Sequence, residues 1–243
     1  MGPTVARRTA PKGRPTPQFP PAIPRLHNGD RLTRDEFIHR WDAMPELKKA
    51  ELINGVVYMA PVAHEGHGRP HPRLNGVFFV YTANTPGIDI GDNSSVFAAD
   101  DDSMPQPDCL LRILPEFGGQ THSDAKGYLI GAPELIAEVS ASSASYDLHD
   151  KLNLYLAEGV KEYVVWRTED TEIDWFIRKR RRFVRLPAGP DGVIRSETFP
   201  GLWLDAPALL EDDLAKVLQT LQRGLNSPEH TAFVAKLAGK KRK

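Results

Sequence analysis

Two acids, a hydroxyl and an ammonium occupy settings in this sequence where water is scarce. Asp108 closes Gln106-Pro107-Asp108 and leads into Cys109-Leu110-Leu111, while Glu138 lies inside Pro133-Glu134-Leu135-Ile136-Ala137-Glu138-Val139-Ser140. The aliphatic and β-branched residues of the second run predict a buried strand. Alternate residues of a strand share a face, so Ile136, Glu138 and Ser140 point one way and Leu135, Ala137 and Val139 the other. Both faces are apolar, and a carboxylate in such a place is costly unless it is partnered. Asp108 has a similar setting. Two acids meeting across neighbouring strands make a hard-oxygen site of the kind that holds Mg²⁺.

Lys151 completes the set. Residues 147–156 carry apolar side chains at Leu148, Leu152, Tyr155 and Leu156, a helical stripe. Position 151 falls on that stripe, three after Leu148 and four before Tyr155. A lone lysine there ordinarily snorkels to water. This helix follows the Glu138 strand directly, so its ammonium is expected beside the carboxylates instead.

Positioning such groups takes a sheet with helices on it. Residues 1–25 hold seven of the 21 prolines, five basic residues and no acid. That composition cannot bury a core, so residues 1–28 are expected to form a disordered basic tail. Thr33 is placed to cap a helix carrying Glu36, Phe37, Ile38 and Trp41. Asn54-Gly55 between apolar runs predicts a two-residue hairpin. Leu74, Val77, Phe78 and Tyr81 are spaced for a helix over residues 72–84, ended by Pro86-Gly87. Strands are expected near residues 88–98, 107–113 and 134–140, then a helix at 146–157 and a strand at 161–167. A hairpin from 172–177 and 182–186 follows, and helices at 208–224 and 228–237 come last, with Ser227 as a cap before Pro228. The expectation is an α/β domain over residues 29–205, built as a mixed twisted sheet flanked by helices with an added hairpin. A helical extension at 206–238 and a basic tail at 239–243 complete it.

The ordered succession of these motifs resembles the restriction-endonuclease-like, PD-(D/E)xK, superfamily, and within it the Uma2 (DUF820) group of endonucleases. Leu32-Thr33-Arg34-Asp35-Glu36-Phe37 resembles the group's opening helix, and residues 50–59, Ala50-Glu51-Leu52-Ile53-Asn54-Gly55-Val56-Val57-Tyr58-Met59, its first hairpin. Pro107-Asp108, Pro133–Ser140, Asp147-x-x-x-Lys151-x-x-x-Tyr155 and Gly159-Val160-Lys161-Glu162-Tyr163-Val164-Val165-Trp166 follow in the family's order. The resemblance spans residues 30–205. It implies a restriction-endonuclease-like fold and hydrolysis of phosphodiester bonds with Mg²⁺ or Mn²⁺. It also makes Glu51 a third acid near the metal and puts a loop histidine near the site. Two departures stand out. Ser140 occupies the position of the superfamily's usual lysine, which implies a lysine relocated to Lys151, and the segment between Glu138 and Asp147 is one residue shorter than the common form.

Composition narrows the function further. A net charge of −1 over 243 residues, with a pI near 6.7, excludes coating nucleic acid by bulk electrostatics. The single cysteine, Cys109, excludes an internal disulfide or a cysteine-rich zinc site and is expected in the core. No apolar run approaches the ~20 residues of a membrane span, and no hydrophobic signal core stands near Met1, so a cytoplasmic protein is expected.

Other clusters divide between chemistry and solvation. His64, His67 and His71 lie in a stretch whose Gly66, Gly68, Pro70 and Pro72 oppose the helix a zinc motif needs. A loop with His67 or His71 on a substrate phosphate is the alternative to a loop without function. Asp100-Asp101-Asp102 reads as a solvated turn, because adjacent residues diverge. The run 178–182 places Arg178, Arg180 and Arg181 at a hairpin tip, suited to gripping a phosphate backbone or to keeping an edge soluble.

The expected activity is that of a Mg²⁺- or Mn²⁺-dependent endodeoxyribonuclease. Asp108 and Glu138 hold the metal with the Val139 carbonyl, Lys151 orients the attacking water and steadies the transition state, and Ser140 bonds the water or the lysine. DNA is the expected partner, a homodimer is allowed, and no membrane is involved. The alternative is a non-catalytic nucleic-acid-binding or interaction protein on the same fold. A closed pocket around the acids would point instead to a small phosphoester.

Overall fold

The computed structural model describes residues 22–59, 68–97, 102–140 and 146–241. Helix α1 (Arg34–Asp42) starts where Thr33 accepts the Glu36 N–H. Strands β1 (Ala50–Ile53) and β2 (Val56–Met59) form a hairpin, with Asn54 and Gly55 at φ of 50° and 74°. Two consecutive positive φ values are what a tight two-residue hairpin demands, and Asn-Gly accepts them at least cost. These elements bury Leu26, Phe37, Met44, Leu52, Val57 and Met104 as a small core of their own.

Six strands make the main sheet. In chain order they are β3 (Ile88–Asp92), β5 (Cys109–Ile113), β8 (Leu135–Ser140), β9 (Glu162–Arg167), β10 (Glu172–Lys179) and β11 (Arg182–Arg185), and the spatial order is β11-β10-β9-β8-β5-β3. Only β8 and β9 run parallel within it. A parallel pair requires a crossover. Here the crossover ends in a π-helical turn, Asp147–Lys151, that runs straight into α3 (Leu152–Glu158). The short strands β4 (Val96–Phe97), β6 (His122–Ser123) and β7 (Leu129–Ile130) form a separate three-stranded sheet.

Both faces of the sheet are covered. Leu135, Ala137 and Val139 of β8, with Cys109 and Leu111 of β5, face α2 (Pro70–Ala83) and the C-terminal helices α4 (Ala206–Leu210), α5 (Leu214–Leu225) and α6 (Pro228–Lys240). Ile136 and Leu110 face the other way, with Ile53, Leu154, Tyr155 and Tyr163. Period-two alternation then assigns Asp108, Glu138 and Ser140 to this second face. A hairpin of β12 (Val193–Arg195) and β13 (Trp203–Asp205) leads into α4. Ser227 accepts the His230 N–H at 3.2 Å and caps α6.

The structure corrects three expectations. The strand expected over 88–98 breaks at Asn93, whose φ is 46°, and its two halves join different sheets. The helix expected at 208–224 is two, parted where Asp212 takes a φ of 66°. The stretch expected as loop through His71 is already helical from Pro70, because a proline in the first helical turn sacrifices only an N–H that would be unpaired anyway. Among the described residues, no helix is long and apolar enough to cross a membrane. His64 and His67, Asp100 and Asp101, Arg242 and Lys243, and the tail to residue 21 lie outside the described residues.

Candidate active site

The pairing of Cys109 with Ala137 sets Asp108, the residue just before β5, opposite Glu138 of β8. Each accepts a main-chain N–H from the facing segment. The Val139 N–H donates to Asp108 Oδ2 at 2.8 Å, and the Asp108 N–H reaches Glu138 Oε2 at 3.3 Å. Both acids are 2 % exposed.

Lys151 enters from the crossover. Its ammonium lies 2.9 Å from Glu138 Oε1, 2.9 Å from Glu51 Oε2 and 3.7 Å from Asp147 Oδ1. The π turn that ends at Lys151 is the local device. One extra residue per turn shifts the helical register, and such turns are frequent at functional sites. Tyr155, one turn later, donates to the same Glu138 Oε1 at 2.9 Å. Glu51, brought in by β1, also accepts the Gln106 N–H at 2.7 Å. Asp147 accepts from Ser140 Oγ.

The periphery holds two more groups. His71 Nε2 lies 2.9 Å from the Asp108 carbonyl oxygen and 2.8 Å from Asp92 Oδ1, so the first turn of α2 braces the strand end that carries Asp108. Lys49 donates to Asp108 Oδ1. Sequence reasoning missed Lys49, although its spacing of two from Glu51 on a strand-forming run was a usable signal.

Among the described residues, Glu51, Asp108, Glu138 and Asp147 face two ammoniums, Lys49 and Lys151. Burial pushes the Glu138 carboxyl up to about 8; Asp108, Glu51 and Asp147 push the same way, and Lys151 pulls it down. Burial alone would lower the Lys151 ammonium, but Glu138, Glu51 and Asp147 outweigh it and raise it well above its ordinary value. Lys151 therefore keeps its charge.

Among the described residues, no three His, Cys, Asp or Glu side chains already converge as a metal's ligands would. The chemistry of the set still suits a hard divalent cation: buried carboxylate oxygens, adjacent across neighbouring strands. Such an ion would have to share or take the place of Lys49 on Asp108.

The other sequence candidates fall out as follows. Ser140 shares the face of Glu138, but its hydroxyl is bound to Asp147. Lys151, read from sequence as orienting a water, is enclosed by three carboxylates. Arg178, Arg180 and Arg181 are exposed beyond the Leu135 end of the sheet, because Ile177 aligns through Glu162 with Leu135. Two strand spacings and three or more residues separate that tip from Glu138, on the order of 15–20 Å. A cavity of about 400 Å³ beside Arg112 and Lys126, and one of about 310 Å³ beside Ile194 and Leu210, are both lined without Asp108 or Glu138.

The profile of the Uma2 family, described as "Putative restriction endonuclease", matches residues 34–207. A solved structure from Anabaena variabilis ATCC 29413, described as a "putative nuclease belonging to DUF820", superposes with a TM-score of 0.54 at 13% identity, covering 78% of this chain and 99% of that one. The two share the restriction-endonuclease-like fold. No curated protein matches the chain.

Proposed function

The chain belongs to the Uma2 family, and on that premise we propose that it is a metal-dependent endonuclease hydrolysing phosphodiester bonds in DNA. The observation that carries this reading is the cross-strand pair Asp108–Glu138, two carboxylates buried side by side at one end of the sheet. Asp108 and Glu138 would hold the cation, with Glu51 behind them. A divalent ion bound there supplies a Lewis acid for the phosphate and lowers the pKa of a bound water.

The chain's own residues hold the acids ready for that ion. The Val139 N–H fixes Asp108, and Tyr155 and Lys151 fix the inner oxygen of Glu138. Lys151 keeps Glu51, Glu138 and Asp147 together by charge, and His71 steadies the Asp108 main chain. Arg178, Arg180 and Arg181 are suited to a distant stretch of phosphate backbone.

Digestion of circular, linear and single-stranded DNA with Mg²⁺ or Mn²⁺ tests the reading. The wild-type protein should cut and Glu138→Ala should not, while both bind DNA. Cleavage that survives in Glu138→Ala would remove Glu138 from the chemistry. A wild-type protein that binds DNA but never cuts would favour the non-catalytic alternative.

A further inference from the structure

Lys49 has no task in the reading above. It stands at the entry to β1, two residues before Glu51, and its ammonium donates to Asp108 Oδ1. Its side chain is 24% exposed, against 4% for Lys151.

The two acids are asymmetric in the same sense. On Asp108, Oδ2 accepts the Val139 N–H while Oδ1 faces Lys49. On Glu138, Oε1 takes both Lys151 and Tyr155, while Oε2 meets the Asp108 N–H at a long 3.3 Å. A cation shared by both acids would therefore use Asp108 Oδ1 and Glu138 Oε2, and Lys49 holds the Asp108 half of that position.

We infer that Lys49 is a resident counter-cation of Asp108 that gives way to the divalent ion and then meets the substrate phosphate, so that Lys49, and not Lys151, is the ammonium at the scissile bond. The inference rests on the nuclease reading of this site. For Lys151 to reach a phosphate it would have to leave Glu138, Glu51 and Asp147, and stripping buried carboxylates of their cation is strongly unfavourable. Lys49 carries its charge on a flexible stem near solvent. Its release costs one ion pair, which the incoming ion replaces. A free ammonium beside the acids can then offset charge that develops on the phosphate oxygens.

The inference predicts opposite effects on metal binding and on chemistry. Titration calorimetry with Mg²⁺, and with Mn²⁺ in parallel, compares wild type with Lys49→Met, which keeps the stem and removes the charge. Without its competitor, the variant should bind the ion about tenfold more tightly. Its single-turnover cleavage should nevertheless fall about a hundredfold or more. A second measurement needs no variant: reductive methylation of wild-type protein, read by mass spectrometry, should label Lys49 severalfold faster once Mg²⁺ is added. Equal or weaker ion binding in Lys49→Met overturns the inference and leaves the nuclease reading standing, provided wild type binds the ion and cuts DNA. So does Lys49 labelling that ignores the ion. A wild-type protein that neither binds the ion nor cuts overturns both.

Discussion

Lys151 and Tyr155, four residues apart on one helical run, donate to the same oxygen of Glu138, each at 2.9 Å. That oxygen is thereby turned inward, and the second oxygen of Glu138 faces Asp108. The helix that closes the β8–β9 crossover thus aims the carboxylate as well as covering it.

Tyr155→Phe removes one of these donors without changing the shape of the site. The variant should lose about 1–2 kcal/mol of stability, because a buried acceptor keeps its desolvation cost and loses a partner. Urea unfolding checks this, and a midpoint equal to wild type would mean the hydroxyl contributes nothing.

Lys151→Met should be far more damaging. It leaves Glu138, Glu51 and Asp147 buried without their shared cation, and breaking a buried pair this way costs about 3–5 kcal/mol. The chain should be recovered poorly or melt early. Pairing it with Glu138→Gln should restore part of the loss, a coupling that a double-mutant cycle reads.

The metal-free protein should also grow less stable as pH rises. With its carboxyl pushed up from 4.5 to about 8 by burial and by Asp108, Glu51 and Asp147, Glu138 holds a proton in the folded state that the unfolded chain has released. Its contribution is complete below about 4.5 and is lost progressively up to about 8, at a slope of up to ~1.4 kcal/mol per pH unit. Glu138→Gln should flatten that part of the curve. Denaturation midpoints from pH 4.5 to 8 decide it, and a wild-type curve parallel to that of the variant would count against a raised Glu138.

Replacing Arg178, Arg180 and Arg181 together by Ala should weaken DNA binding across all sequences and flatten the slope of log K against log salt by roughly two to three units. Single-turnover cleavage at saturating DNA should change little, because the tip lies at the other end of the sheet. An unchanged affinity and salt slope would make the tip a solvated turn only.

What the sequence determined by itself is the local framework. Asn54-Gly55 specified a hairpin through its positive φ values, and Thr33 and Ser227 specified helix starts through their hydroxyls. The parity of Glu138 among Leu135, Ala137 and Val139 put it on the face opposite those residues. Such signals act over a few residues, so one chain segment is enough to read them. The break at Asn93 lies in Asp92-Asn93-Ser94-Ser95, a stretch of turn-forming residues that signals an interruption but does not say which sheet each half will join.

The tertiary structure decided which groups meet. Lys49 and Asp108 are 59 positions apart, and Glu51 and Lys151 a hundred; each pair exists only because the first hairpin packs on the acid-bearing face of the sheet. The π turn before Leu152 turns an inward lysine into one enclosed by three acids. Ser140, on the expected face, found Asp147. Burial and long-range pairing set these partners and the charge on Glu138, because both depend on how much water the whole fold excludes.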